Sequence, residues 1–266
     1  MNNLITKKIY PWLYSIEDPL GAFSFVLIGQ TAALLYDTGF GVWSIRDEVK
    51  KITSLPVTVV LGHGHVDHAN GAFDFEEVWI HPADYEICMK HTSRTMRRGI
   101  AGGLKDGEIS APDAFDEAYY IESGSYTNSG IFKKLTGDLF DLGRITAQIV
   151  PMEGHTAGSI GIFIPEHKTL LTSDASNSDI WMFLEESLPI PAYVAMLKRV
   201  KQLDFNTFFI GHSAEPKPKS DFDGFIRVAE NICPEKSTPY PRMPELSGLL
   251  YSEGNFKIIY RKDKLQ

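Results

Sequence analysis

Three histidines and one aspartate lie within six residues of this chain, in the segment His63-Gly64-His65-Val66-Asp67-His68. Imidazole nitrogens and carboxylate oxygens are suitable ligands for Zn²⁺, and for iron and manganese as well. In an extended segment, residues i and i+2 point to the same side, so His63 and His65 can bind one ion together. We expect the chain to turn after His65 and to direct Asp67 and His68 towards a neighbouring position.

Other residues of the same chemical types stand where apolar, strand-like runs end. They are His155 after the run at 142–150, Asp174 after Leu170-Leu171, and His212 after Phe208-Phe209-Ile210. Strand ends gathered at one edge of a sheet are where α/β folds commonly place their sites. The pattern therefore predicts one metal site built from several distant segments.

In type and order, these residues resemble the five motifs of the metallo-β-lactamase-fold hydrolases, a superfamily that includes glyoxalase II, lactonases, sulfatases and RNA-processing nucleases. The matching positions are Asp37 for the first motif, His63, His65, Asp67 and His68 for the second, and His155, Asp174 and His212 for the third to fifth. The resemblance implies an α/β (α+β) fold, a four-layer αββα sandwich of two mixed β-sheets with two metal ions at one edge.

The resemblance also implies a role for each matched residue. His63, His65 and His155 would hold the first ion, Asp67, His68 and His212 the second, and Asp174 would bridge the two. Asp37 would shape the ligand loop without touching the metal, although Asp37-Thr38-Gly39 is also an ordinary turn sequence. The implied cofactors are two divalent metal ions, with Zn²⁺ expected and iron or manganese as alternatives.

Such a pair of ions can activate water. Two cations about 3.5–4 Å apart lower the pKa of a water that they share towards about 7, so that hydroxide forms at neutral pH. The same ions polarise the substrate oxygen and stabilise its developing negative charge. The predicted catalytic residues are Asp67, which can also accept a proton, and Asp174. The predicted activity is hydrolysis of an ester, thioester or lactone.

The composition is that of an ordinary globular protein. The 266 residues are 43% hydrophobic and 23% charged, and the formal net charge of −8 disfavours a nucleic-acid partner. No run of about 18 apolar residues and no apolar leader occur, which predicts a cytoplasmic protein without a membrane partner. The expected partner is a small-molecule substrate, and a homodimer is left open. The two cysteines show no paired spacing.

Strand-like and helix-like segments alternate along the chain, which predicts a single domain over 1–266. Apolar spacing predicts helices at 43–53 and from about 190, and a buried strand at 57–61. Two special segments are expected, a helical or irregular insertion at about 92–140 and a C-terminal hairpin at about 247–262. The insertion's Arg94, Arg97, Arg98 and Lys105 are interpreted as a solvated face, with binding of a substrate anion as the alternative. His81, His91 and His167 receive no role.

Departures from subfamily patterns narrow the activity. Asn177 stands where acyl-homoserine lactonases tend to carry tyrosine, Ser213 follows His212 where glyoxalase II has glutamate, and Asp174 replaces the cysteine of some exported β-lactamases. The alternatives are a mononuclear iron persulfide dioxygenase, which would use His63, His155 and Asp174, and a hydrolase of β-lactams or phosphodiesters. A non-catalytic binding protein is disfavoured because every ligand position is retained.

Overall fold

A computed structural model describes residues 4–105, 115–123, 130–243 and 246–266. The chain forms two compact units. The first contains the described residues up to Ala147 together with Gly211–Ala214, and the second contains Gln148–Ile210 and Glu215–Gln266. The prediction of one domain over 1–266 stays a prediction.

The first unit is built on a seven-stranded mixed sheet with the order β1-β2-β3-β4-β5-β6-β7. Its strands are β1 (Ile5–Tyr10), β2 (Leu13–Glu17), β3 (Phe23–Ile28), β4 (Ala33–Tyr36), β5 (Val57–Val60), β6 (Val78–Ile80) and β7 (Phe132–Lys134), and a further short strand, β8 (Leu139–Asp141), follows in the chain. Neighbours from β1 to β4 are antiparallel, whereas those from β4 to β7 are parallel. Parallel neighbours need crossover connections, and the helices of this unit lie in them.

The helices of the first unit are α1 (Ile45–Ile52), α2 (Val66–Ala69), α3 (Tyr85–His91), α4 (Arg94–Lys105) and α5 (Glu117–Ser123). Ser44 caps α1 by accepting a hydrogen bond from the backbone of Asp47, and the helix falls within the predicted range 43–53. The predicted insertion at 92–140 contains α4, α5, β7 and β8, and its residues 106–114 and 124–129 lie outside the described residues. The twelve-residue α4 contains three glycines, which lower its helix propensity, and it buries Arg97, Ala101 and Leu104 at helical spacing.

The second unit contains two sheets and two long helices. Within this unit, one sheet has the order β14-β13-β11-β10-β9, and the other has the order β12-β17-β16-β15. The strands are β9 (Thr146–Pro151), β10 (Ile160–Ile164), β11 (Thr169–Leu171), β12 (Asp179–Met182), β13 (Thr207–Ile210), β14 (Ser213–Pro218), β15 (Thr238–Met243), β16 (Leu246–Glu253) and β17 (Phe256–Tyr260). The helices are α6 (Ile190–Val200) and α7 (Asp221–Glu230), and the unit boundaries fall within β9 and β14.

Aromatic packing dominates the core of the second unit. The rings of Phe208 and Phe222 meet edge to face with centroids 5.2 Å apart, and Phe205 and Phe225 extend this cluster. The core of the first unit instead consists mainly of aliphatic side chains from the seven-stranded sheet, such as Val26, Leu35 and Val59. Each unit therefore has a hydrophobic core of its own.

The mixed α/β architecture and the C-terminal hairpin agree with the sequence. Strands β16 and β17 pair antiparallel around Gly254, whose φ of 62° suits the turn. The resemblance predicts two mixed sheets, and the chain has in addition the four-stranded sheet that contains this hairpin. That sheet forms because β12 pairs in parallel with β17, with Ile180 opposite Ile258. No helix among the described residues is both long and apolar enough to span a membrane.

Candidate metal centre

Two adjacent parallel strands bring the first two motifs to one edge of the seven-stranded sheet. Tyr36 of β4 lies opposite Val60 of β5, so both strands end at the same level. Asp37, which follows Tyr36, and Gly62, which is two residues after Val60, therefore lie near each other at this edge. A one-residue change in this register would separate them.

Asp37 connects the two strand ends through its carboxylate. Its Oδ1 accepts a hydrogen bond of 2.6 Å from the backbone N–H of Gly62, and its Oδ2 accepts one of 2.9 Å from Nδ1 of His68. The side chain is 1% exposed, and the residue has a φ of 64°. Aspartate tolerates this left-handed conformation better than most residues do. Asp37 thus holds Gly62 and His68 through its two carboxylate oxygens, and its role beside a metal stays a prediction.

The loop that carries the second motif packs tightly against the segment that contains Asp84 and Cys88. Gly64 donates its backbone N–H to Oδ2 of Asp84 at 2.8 Å. A Cβ at Gly64 would lie 2.6 Å from the backbone nitrogen of Cys88, so only glycine fits there. Helix α2 then begins, and it carries Asp67 and His68 on its short turn.

Within the first unit, five of the predicted ligands lie together. The ring centroid of His63 is 4.6 Å from that of His65 and 4.4 Å from that of His68. Asp67, His68 and His212 each offer a ligand atom, and these atoms lie within 4.8 Å of one another. His63, His65 and His68 are buried. Residues that are 144 positions apart in sequence, His68 and His212, therefore share one site.

The hydrogen bonds of the ring nitrogens determine which nitrogen can bind a cation. Nδ1 of His212 lies 2.8 Å from the carbonyl oxygen of Gly21, and because a carbonyl only accepts, this Nδ1 carries the proton. Nδ1 of His68 similarly donates to Asp37. In the neutral rings, Nε2 then presents a lone pair, as in metal-binding histidines whose other nitrogen is held by an oxygen.

Both of these Nε2 atoms face the same carboxylate. Oδ2 of Asp67 lies 3.4 Å from Nε2 of His68 and 3.5 Å from Nε2 of His212. A lone pair and a carboxylate oxygen at this separation repel each other unless a proton or a metal ion lies between them. The donor set therefore fits a divalent cation, which would bind two neutral imidazoles and one carboxylate at this position.

The remaining two predicted ligands belong to the second unit. Nδ1 of His155 donates to the carbonyl oxygen of Trp181 at 2.9 Å, which again leaves Nε2 as the ligand atom. The residue before His155 must be glycine, because a Cβ at Gly154 would lie 2.4 Å from a ring carbon of Tyr193. Asp174 lies in the 3-10 turn Ser173–Ala175 directly after β11, and its Oδ1 accepts from the side chain of Asn177 at 3.4 Å. The full set of seven ligands stays a prediction.

Three residues near the loop carry no signal in the sequence that would predict their place there. Asp84 supports Gly64 from 20 positions away, and His91, which received no role, places its ring 4.8 Å from that of His65. Asp18 is buried and accepts hydrogen bonds from the backbones of Leu20 and Phe40. Burial raises the pKa of Asp18 to about 6, and the nearby charge of Asp67 acts in the same direction. None of the three follows an apolar run with ligand-like spacing, so no pattern singled them out.

The sequence matches the family model of the metallo-β-lactamase superfamily over residues 18–212. Among curated proteins, it is 27% identical over 156 residues to the acyl-coenzyme A thioesterase MBLAC2 of Gallus gallus, an alignment covering 55% of this chain and 54% of that protein. A probable metallo-hydrolase of Bacillus subtilis is 22% identical over 163 residues, which cover 61% of this chain and 70% of the relative. The chain thus spans about half the length of the thioesterase that it matches.

Solved structures share the fold at low sequence identity. A metallo-β-lactamase from Pontibacter korlensis aligns with a TM-score of 0.58 and 15% identity, covering 86% of this chain and all of that one (100%). A superfamily protein from Sulfolobus tokodaii aligns with a TM-score of 0.56 and 16% identity, covering 87% and 90% of the two chains. The predicted fold is therefore confirmed. With the family match extending from Asp18 to His212, this chain belongs to the metallo-β-lactamase superfamily.

Proposed function

We propose that this protein is a metal-dependent hydrolase with two divalent ions, and that it cleaves a thioester, ester or lactone. The observation that carries the proposal is the pair of imidazole Nε2 atoms, of His68 and His212, that face the Asp67 carboxylate while their Nδ1 atoms are held by oxygen. This arrangement has no evident use in a purely structural loop. It is what a metal ligand set requires.

In this proposal the seven matched residues hold the metals. His63, His65 and His155 would hold the first, Asp67, His68 and His212 would hold the second, and Asp174 would be a ligand of both. Zinc is the metal that suits this nitrogen- and oxygen-donor set best. When bound, the metals supply an acidified water and a Lewis acid for the substrate carbonyl oxygen.

The chain's own residues prepare this chemistry. Asp37 fixes the tautomer and ring orientation of His68, and the carbonyl oxygens of Gly21 and Trp181 do the same for His212 and His155. Asp67 is half-buried beside Nε2 of His68 and of His212, and its carboxylate would accept the proton that water loses. In thioester hydrolysis, the oxygen of water bonds to the acyl carbon, the C–S bond breaks, and the proton passes to the departing thiolate.

Thioesters are the first substrate class to test. The acyl-coenzyme A thioesterase named among the relatives supports this choice, because its alignment with this chain extends over 156 residues. Purified protein should be assayed with acyl-coenzyme A esters, lactones, β-lactams and an aryl phosphodiester, and its metals should be counted by elemental analysis. Two zinc ions per chain with thioester turnover would support the proposal, whereas one iron per chain with persulfide oxidation would replace it by the dioxygenase.

Asp174→Ala tests the bridging role. We expect metal content and hydrolysis to fall together, because both ions lose a shared ligand. Asp204→Ala is the matched control, since this exposed aspartate of the same unit forms an ion pair with the surface residue Lys168, and it should leave both quantities unchanged. Hydrolysis that persists after the metals are gone would refute the mechanism.

A further inference from the structure

A small cavity lies within the first unit, beside the C-terminal end of α2. We call it the Arg97 cavity. Its volume is about 200 Å³, and its lining includes Asn70, Phe73, Asp74, Arg97, Asp116 and Tyr120. Pockets for drug-sized ligands usually have about 300–1,000 Å³, so an occupant of this cavity must be small. None of the seven proposed metal ligands lines it.

Arg97 forms the interior end of this cavity. It was interpreted as part of a solvated face, but it is 1% exposed because its guanidinium lies between the rings of Phe73 and Tyr120, 4.7 and 4.5 Å from their centroids. Nη1 donates to the carbonyl oxygen of Tyr120 at 3.0 Å, and Nη2 donates to that of Asn70. Burial lowers the pKa of Arg97 to about 10, so the group stays protonated at neutral pH.

The guanidinium also has unused binding capacity. In the described ranges, Arg97 forms no ion pair with a carboxylate, and its buried Nε has no hydrogen-bond partner. The charge of Asp74 acts on Arg97 without forming an ion pair with it. A buried cation with no anion in direct contact is costly, and a buried N–H that loses water without gaining an acceptor adds to that cost. A carboxylate inside the cavity would supply both the missing charge and the missing acceptor.

Negative charge lies on the outer part of the same cavity. Asp74 is half-buried, and its Oδ2 is 3.4 Å from the backbone nitrogen of Arg46; burial raises the pKa of Asp74. Asp116 is exposed and accepts from the backbone of Tyr119, whose ring is 65% exposed. From the interior to the solvent, the lining thus changes from cationic to anionic and aromatic. A simple anion would meet repulsion at this mouth, whereas an ammonium group would meet two carboxylates and an aromatic ring.

We propose that the Arg97 cavity binds a small zwitterion, with the carboxylate of the ligand on Arg97 and its ammonium group near Asp74 and Asp116. The class that fits this order of charges and this volume is a small amino acid. The proposal is independent of the metal chemistry, because it uses none of the seven proposed ligands.

Three probes of nearly equal size test this charge order by calorimetric titration of the metal-loaded protein. L-alanine carries both charged groups, propionate only the carboxylate, and ethylamine only the ammonium. We expect alanine to bind, and each analogue to bind at least roughly tenfold more weakly, because each loses one charged hydrogen bond. Absence of alanine binding at millimolar concentrations, or equal binding of propionate, would overturn the proposal.

Variants locate the binding. Arg97→Met keeps the apolar stem and removes the guanidinium, and it should weaken alanine binding at least roughly tenfold. Arg98→Met is the matched control, since the neighbouring Arg98 is exposed on the same helix, and it should bind alanine like the unchanged protein. Asp74→Asn should weaken alanine but not propionate, and it keeps the test decisive if Arg97→Met does not fold. Binding that is unaffected by both changes would place alanine elsewhere, for example on the metals, and would refute the proposal.

Discussion

The metal loop, residues 62–70, and the Arg97 cavity meet at Asn70 but carry opposite charge. Around the loop lie the carboxylates of Asp18, Asp37 and Asp67, together with histidines whose proton positions are fixed by oxygen acceptors. The interior of the cavity holds a permanent cation instead, and its acids stand farther out. The loop is therefore suited to a cation from solution and the cavity interior to an anion.

The two regions also differ in how their polar groups are held. In the loop, side-chain carboxylates accept hydrogen bonds from backbone N–H groups, as Asp37 does from Gly62 and Asp84 does from Gly64. In the cavity, backbone carbonyl oxygens orient a side chain, because those of Asn70 and Tyr120 accept hydrogen bonds from Arg97. Loss of a loop side chain should consequently damage function, whereas loss of Arg97 should first damage stability.

The largest expected effect separates the two regions by activity. Asp67→Asn should reduce hydrolysis by about 10³-fold, or ~4 kcal/mol in the activation barrier, because the second metal loses an anionic ligand. Asp74→Asn, the corresponding change in the cavity, should leave the rate within about twofold. Steady-state kinetics on both variants checks this, and equal losses would abolish the distinction between the regions.

The next effect separates them by stability. Arg97→Met should lower the free energy of unfolding by about 3 kcal/mol, since the buried carbonyl oxygens of Asn70 and Tyr120 lose their donor. Arg98→Met should change it by less than about 0.5 kcal/mol. Urea denaturation of the metal-free variants measures the difference. An Arg97 variant as stable as the control would show that the hydrogen bonds of Arg97 do not stabilise the fold.

The acidic character of the loop predicts a pH dependence. The pKa of Asp18 rises from 3.8 to about 6 because of burial, so between these values the folded protein binds more protons than the unfolded chain. The contribution of Asp18 is therefore most favourable below about pH 4, and about 3 kcal/mol is lost as the pH rises through 6. Comparing unfolding of the metal-free protein and of Asp18→Asn at pH 4 and pH 7 should show a smaller loss in the variant. Parallel pH profiles would contradict the assignment.

The smallest effect concerns the support of the loop. Asp37→Asn keeps the left-handed backbone but replaces one carboxylate oxygen by an amide that donates, so Gly62 or His68 loses its acceptor. Metal affinity should fall at least roughly tenfold, as for other residues that orient metal-binding histidines. Competition with a chelating dye measures the metal affinity. An unchanged affinity would mean that Asp37 serves only the backbone turn and does not support the metal ligands.

The loop could be predicted from the sequence because its proposed ligands lie close together along the chain. His63, His65, Asp67 and His68 follow a β-branched strand within six residues, and the strand predicted at 57–61 is β5. Helix α1 and the C-terminal hairpin were predictable for the same reason. Each has a short-range pattern.

The cavity could not be predicted, because its lining comes from segments between residues 41 and 123 that share no spacing. Arg97 resembles its neighbours Arg94 and Arg98 in sequence, and only the packing of Phe73 and Tyr120 on its two faces buries it. Asp84 and Asp18 were missed for a similar reason, since each acts on a distant backbone group. The third sheet depends on the pairing of β12 with β17, about 80 residues apart, which no local signal announces.

Fixed imidazole tautomers should direct Nε2 of His68 and of His212 at a cation beside Asp67. Crystals of zinc-loaded protein, measured on both sides of the zinc absorption edge, would locate that cation. We expect an anomalous peak about 2.0–2.2 Å from both Nε2 atoms and from a carboxylate oxygen of Asp67. Fully loaded crystals with no peak at that position, or with zinc bound through Nδ1 of either ring, would contradict it.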